Sequence, residues 1–218
     1  MARTADHEAR RRQVAEAVEH LVATEGFGAV TVARTATHAG ISVGLVQHYF
    51  PSKDDMLRHA FTQARHRIEQ RVVDGAQRAD QAGARIEHIL LDGLTELLPL
   101  DERRRGEYRV ELAFTGRAAD NPHLADTLRQ SNTHVRDLLA QAVHNGKECG
   151  EVETGTDETT AAAHLLALLD GLKLHAYNDP EALTHTMARG ALAAQLALTF
   201  TGPCHHRRSS PSPARPAS

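Results

Sequence analysis

The feature that most constrains this chain is the spacing of its apolar residues. They recur every three or four positions, segment after segment, and each run is stopped by glycine or proline. That is the period of a helix face and not the alternation of a strand. Val14, Val18, Leu21 and Val22 mark a first helix over residues 6–25, stopped by Gly26. Two short helical stretches follow, 31–39 and 42–49, parted by Gly40. Ser52 with Asp55 three residues on has the spacing of a capping box and predicts a fourth helix running past Ile68 towards Val73. Ile86, Ile89, Leu90, Leu94 and Leu97 form a stripe over 84–98, ended by Pro99, and a further helix is expected over 103–119. Asn121-Pro122 reads as an N-cap and first helical residue of a long helix reaching about Val143, with a glycine-containing loop over 145–155. Residues 159–177 carry Leu165, Leu166, Leu168, Leu169 and Leu172, a broader apolar face than one intramolecular neighbour needs. Asp179-Pro180 is expected to cap a last helix over 181–200. The pattern predicts an all-α fold of about nine helices.

Composition agrees. Alanine and leucine are abundant, aromatics are 4% and tryptophan is absent, which suits helices better than sheets. A chain of 218 residues buries enough surface to need no covalent staple. Two cysteines are too few for a disulfide framework. With a charged, polar start in place of an apolar leader, the cytoplasm is the expected compartment. No apolar run approaches the ~18–20 residues of a membrane span, so no membrane partner is expected. A formal charge of -3 does not favour a polyanionic partner, although a sum can hide a local basic surface. The first three helices are short to medium and close together. The expected organisation is therefore a three-helix helix-turn-helix domain over 1–52, a larger helical bundle over 53–201, and a disordered Pro, Ser and Arg tail over 202–218.

The informative stretch is 31–53, TVARTATHAGISVGLVQHYFPSK. Gly40 can take the positive φ that a tight turn between two helices requires, and Ser42 can cap the second. Val46 and Phe50, four apart, share a face and anchor that helix, which leaves Val43, Gly44, Leu45, Gln47, His48 and Tyr49 for other faces. From Gly26 to Lys53 there is no Asp or Glu in a chain that is 24% charged, while Arg34 and Lys53 are positive. An acid-free surface of this kind suits an approach to phosphates.

In these residues the chain resembles the TetR family of regulators. Phe27, Thr31-Val32, Ala36, Ala39-Gly40-Ile41-Ser42 and His48-Tyr49-Phe50-Pro51-Ser52-Lys53 follow the order of that family's DNA-binding domain. Residues 165–172, LLALLDGL, resemble the penultimate helix of its BetI-like branch. The resemblance implies a dimeric, effector-released repressor that binds a near-palindromic double-stranded operator. It also implies, together with the chemistry, a set of roles. Thr31 offers a hydroxyl and a helix N-terminus to phosphate, or is a plain N-cap. Lys53 reaches the backbone or is merely solvated. Tyr49 gives its hydroxyl to a phosphate or is half core, and His48 touches phosphate or covers the core. Gly44 allows close approach, Leu45 can meet a thymine methyl, and Gln47 can pair with the N6 and N7 edge of adenine. Four positions depart from the family pattern. Thr35 stands where an aliphatic core residue is usual, Arg34 where an acid is common, Gln47 for a frequent tyrosine, and Val43 for a basic or polar residue.

For the sensor half the resemblance implies a small-molecule pocket, with Tyr108, Phe114, His164, His175 and Tyr177 as candidate lining. Choline-like ligands need an aromatic cage, which so few aromatics do not supply. Fifteen histidines invite a metal, yet neither His59 with His66 nor the pair His205-His206 makes a compact set of known ligand spacing, so no metal or cofactor is expected. No nucleophile elbow, phosphate loop or dinucleotide fingerprint is present, and no Glu stands three residues before a His, as di-metal helical enzymes require. A helical enzyme or a pure interaction bundle would have no use for the acid-free, turn-separated helix pair. Dimerisation is expected through the last two helices, whose small and leucine-rich faces include Ala191 and Ala194.

Overall fold

The computed structural model describes residues 2–204, with side chains from residue 7 onward. Among these residues there are nine α-helices, one 3-10 turn and no strand. The helices are α1 (Ala2–Glu25), α2 (Val32–Ala39), α3 (Val43–Tyr49), α4 (Lys53–Gln81), α5 (Ile86–Glu96), α6 (Glu102–Ala118), α7 (Pro122–Cys149), α8 (Glu158–Asn178) and α9 (His185–Ala197); the 3-10 turn, Phe27–Ala29, follows α1.

Local signals set most boundaries. Thr31, Ser42, Ser52, Asp101, Asn121, Asp157 and Thr184 each cap the helix that follows by accepting a backbone N–H. Among the boundaries that differ from the sequence expectation, three have a clear local cause. Helix α4 passes through Gly75 and runs to Gln81, because the residue that turns out of the helix is Gly83, at φ 78°. Helix α7 passes through Asn145-Gly146 and ends at Gly150, at φ 86°. At Gly146 a Cβ would lie 2.6 Å from Val152 and 2.9 Å from Phe200, so the missing side chain is what lets those two pack on the helix. The last helix starts at His185 and not at Glu181, since Asp179 accepts from the Ala182 N–H in a preceding turn and Thr184 supplies the cap.

Helix α5 is capped from a distance. Arg85, its N-cap residue, makes no side-chain capping bond. The fully buried carboxylate of Glu151, on the turn after α7, accepts the N–H groups of Ile86 at 3.1 Å and Glu87 at 3.2 Å. A carboxylate at a helix N-terminus also meets the positive end of the macrodipole.

Two apolar clusters form. The first joins Val14, Val18, Leu21 and Val22 of α1 to Ala36, Val46, Phe50, Met56, Leu57 and Phe61, and to Val110 and Phe114 of α6. Phe61 and Phe114 stack at 4.0 Å, nearly parallel. The second joins Leu94 and Leu98 to Leu139 and Val143 of α7, Leu165, Leu169 and Leu172 of α8, and Leu192, Leu196 and Phe200. The first turns of α4 belong to the first cluster, and α7 enters both, with Leu124 in the first and Leu139 and Val143 in the second. Of the tail expected from residue 202, Gly202 donates its N–H to the Glu151 carbonyl and Cys204 is buried; residues 205–218 lie outside the described residues. No described helix is long and apolar enough to cross a membrane.

Candidate nucleic-acid interface

Helices α2 and α3 form a helix-turn-helix whose geometry follows from four residues. Thr31 is extended at φ -135° and its Oγ1 accepts the Arg34 N–H at 3.2 Å. Gly40 sits in the left-handed region at φ 66°, ψ 30°, and the following Ile41 N–H returns to the Ala36 carbonyl at 3.1 Å. Ser42 Oγ accepts the Leu45 N–H at 3.2 Å and starts α3. Val46 and Phe50 then pin α3 to the first cluster, both essentially buried. At about 100° per residue that anchoring turns Val43, Gly44, Gln47 and His48 outward, and all four are exposed; Leu45 and Tyr49 are half-buried. A Cβ at Gly44 would meet nothing within 4 Å of this chain, so the space above it is free for a partner's backbone.

The expected positive charges are engaged. Arg34 bonds the Glu25 carboxylate, an acid just before the acid-free stretch. Both partners are solvent-exposed, and such pairs contribute little, so phosphate can displace the carboxylate. The Lys53 ammonium lies 4.0 Å from the centroid of Phe27, and burial pulls its pKa below the usual lysine value. The Tyr49 carbonyl accepts from Arg11 at 3.5 Å, and its ring meets His7 edge-on at 4.6 Å. Directly after Lys53, Asp54 takes Arg117 through two bonds of 2.9 and 3.0 Å and Asn121 at 2.9 Å, which fixes the head of α4 to α6 and α7. The Arg117 hydrogen bond holds the Asp54 carboxyl below its ordinary pKa.

Thr35, the departure from an aliphatic core residue, is fully buried, and its hydroxyl has no hydrogen-bond partner among the described residues. An unpaired buried hydroxyl costs about 1–3 kcal/mol.

The five candidate pocket residues are not gathered around one cavity. Phe114 is spent in the first cluster, against Phe61. Tyr108 and Tyr177 meet edge-on at 5.4 Å, with the Tyr108 hydroxyl pushed up to about 12 by burial. Tyr177 borders an open polar groove between α1, α4 and α6, lined by Glu16, Glu19, Arg67, Arg71 and Glu107. His164 and His175 are exposed on α8. An apolar cavity of about 290 Å³ lies instead between α4, α5 and α7, lined by Ile68, Val72, Leu90, Leu94, Val135 and Leu139, with Glu69 and His134 paired at 2.8 Å. No spacing within a single helix reveals it, because each helix contributes only one edge of its apolar stripe.

The outer faces of α8 and α9 are largely apolar or small, with exposed Asp170 the acid among them. Leu174 is 42% exposed, Met187 54% and Leu198 74%, with Ala163, Ala167, Gly190 and Ala194 exposed beside them.

Two family models match. One, described as bacterial regulatory proteins of the tetR family, covers residues 15–60. The other, the C-terminal part of a BetI-type transcriptional repressor, covers residues 87–201. The HTH-type transcriptional regulator PksA of Bacillus subtilis (strain 168) is 31% identical over 180 residues, spanning 83% of this chain and 84% of the relative. A transcriptional regulator from Rhodococcus sp. Rha1 superposes with a TM-score of 0.75 at 30% identity, covering 88% of this chain and 96% of the other. A transcriptional regulator from Saccharomonospora viridis, solved in complex with choline, shares the fold with a TM-score of 0.73 at 23% identity over 86% of this chain and 95% of its own.

Proposed function

This chain belongs to the tetR family of bacterial regulatory proteins and carries a BetI-type C-terminal half, and from that premise we propose that it is a dimeric repressor released from a near-palindromic operator by an apolar effector. It is a transcriptional regulator and not an enzyme. The observation that carries the reading is the outer surface of α3: exposed Val43, Gly44, Gln47 and His48 on a helix anchored by Val46 and Phe50, with no acid from residue 26 to 53.

In this reading residues 1–52 meet the operator and residues 53–201 carry the effector and the dimer contacts, within the cytoplasm. Thr31, Arg34, Ser42, His48, Tyr49 and Lys53 hold phosphates, which position the helix but carry no sequence information. Val43, Gly44, Leu45 and Gln47 enter the major groove. Gln47 points outward beside inward Val46, and its amide both donates and accepts, as the N6 and N7 edge of adenine requires. Lys53 exchanges its contact with Phe27 for a phosphate.

The exposed faces of α8 and α9 pair with their copies about a two-fold axis to give a four-helix interface. His164 and His175 then belong to the dimer side and not to the pocket. The effector takes the cavity between α4, α5 and α7, whose volume sits at the small end of ligand sites. None of its lining residues is Phe, Tyr or Trp, so a quaternary ammonium such as choline would find no aromatic cage there.

The deciding experiment is selection of bound fragments from the DNA flanking the chain's own gene, followed by a salt series on the winner. With about 6–10 phosphate contacts per dimer, affinity should fall by about 10³–10⁵ between about 50 and 200 mM salt. No enrichment, or a flat salt dependence, would overturn the reading.

A further inference from the structure

Cys149 closes α7, Glu151 stands on the turn behind it, and Cys204 lies just beyond α9. Cys204 is distant in sequence from the other two, so no local spacing joins all three. In the fold, one ligand atom from each, two thiols and a carboxylate oxygen, comes within 4.8 Å of the other two. We propose that Cys149, Cys204 and Glu151 form a binding site for a zinc-like divalent cation.

The donor set has the right chemistry. Thiolates with one carboxylate suit zinc and cobalt and do not suit magnesium or calcium, which take oxygen alone. A tetrahedral centre with metal–sulfur bonds of about 2.3 Å needs sulfurs about 3.8 Å apart, so side-chain rotation of a fraction of an ångström to an ångström closes the set. Binding replaces two thiol protons by the metal: a dication, two thiols and a carboxylate give a tris-ligated centre of charge minus one and two released protons.

The surroundings fit that charge. Arg85 Nε lies 3.5 Å from Glu151 Oε2, and the α5 N-terminus points its Ile86 and Glu87 N–H groups at the same carboxylate. Together they neutralise the anionic centre and fix the orientation of its oxygen ligand. The Cys149 thiol donates to Glu151 Oε1 and to the Gly146 carbonyl, both at 3.5 Å, so it already faces the carboxylate.

The approach of Cys204 is held by independent contacts. Arg85 donates to the Gly202 carbonyl at 2.8 Å, and the Gly202 N–H donates to the Glu151 carbonyl at 3.0 Å. A Cβ at Gly202 would overlap the Gly150 carbonyl oxygen, so only glycine lets this segment lie so close to the end of α7. A groove between α4, α5 and α7 is lined by both cysteines, along with Ile86, Leu90 and Asn145, and gives a cation its route in.

The test uses the full reduced chain titrated with Co(II). The expected result is one cobalt per chain with thiolate-to-cobalt charge-transfer absorption, displaced by Zn(II), and a melting temperature that rises with the metal. Cys149→Ser and Cys204→Ser should each abolish the band while their metal-free melting stays close to that of the parent. Glu151→Gln, which keeps an acceptor for α5, should weaken cobalt by roughly 10–100-fold. His205 and His206 follow Cys204 in the sequence, so a variant with both changed to Ala must keep the band. A reduced, folded chain that shows no such band, a band that survives either Cys→Ser change, or a band lost only with the histidine pair overturns the proposal.

Discussion

The surface of α3 and the outer surface of α8 with α9 both stand clear of the rest of the chain, and they are built on opposite principles. The α3 surface is short, capped at both turns by hydroxyls, and exposes a glycine, an amide and an imidazole. The α8–α9 surface is long and exposes Leu174, Met187 and Leu198 among alanines and glycines. In the proposed reading the first meets anions and hydrogen-bonding edges, and the second meets another apolar helix surface. The difference teaches that exposure alone does not name a partner; the chemistry of what is exposed does. What lies beneath also differs. Under α8 and α9 the buried Leu165, Leu169, Leu192 and Leu196 are aliphatic and the buried Lys173 is paired with Glu111 and Asp170, whereas under α3 the hydroxyl of Thr35 has no partner among the described residues.

The largest effect should come from charging the apolar surface. Leu174→Glu combined with Leu198→Glu places each unpaired charge twice in a two-fold interface, at about 1–3 kcal/mol or more for each. Sedimentation should then show monomers with unchanged helix content. Persistent dimers would show that α8 and α9 do not pair as proposed. Leu168 is a poorer target, because it packs on the chain's own second cluster.

Next in size is the reading surface. Gln47→Ala should remove about 1–3 kcal/mol of discrimination at one base pair per half-site while leaving the dimer intact. Binding to a panel of single-base operator variants measures it, and an unchanged ranking of that panel would remove Gln47 from base readout.

Smaller still is the core beneath it. Thr35→Val keeps the shape and deletes the unpaired hydroxyl, so the chain should gain about 1 kcal/mol, read as a higher denaturant midpoint at unchanged slope. A loss of stability would mean the hydroxyl has a partner after all.

The smallest effect concerns the joint between the two regions. Asp54 has its folded pKa depressed, chiefly by its bond to Arg117. Its contribution is therefore present above the ordinary aspartate value of 3.8 and is lost as pH falls below it towards the folded value. Arg117→Ala should flatten the acid limb of a stability-versus-pH curve and leave neutral and alkaline points parallel to the parent. A parallel shift at every pH would deny the linkage.

Much of this architecture was legible because its causes are local. Thr31, Ser42 and Asn121 cap helices by reaching two or three residues ahead, and Gly40 turns the chain by its own backbone freedom. The acid-free stretch singled out α3 for the same reason. What was not legible depends on contacts between distant segments. Gly146 looks like a helix stop until Val152 and Phe200 are packed on it. Phe114 looks like pocket lining until Phe61 is stacked on it. The apolar cavity and the Cys149–Glu151–Cys204 group are each assembled from separate parts of the chain, so no single periodicity announces them.

Helix α4 spans 29 residues, about 43 Å at 1.5 Å per residue. Near its middle Ala64 is buried; Lys53 lies about 16 Å to one side of that point and the cavity residue Val72 about 12 Å to the other. A rigid rod turning about that point would have unequal arms. In the proposed reading, an effector that moved Val72 outward by about 1 Å would carry Lys53 by about 1.4 Å about that point. Half-sites one helical turn apart are spaced at about 34 Å, a rung spacing that the DNA does not stretch to follow. In the proposed reading, leverage of this kind would let a cavity of modest size act on the DNA-facing end of the rod.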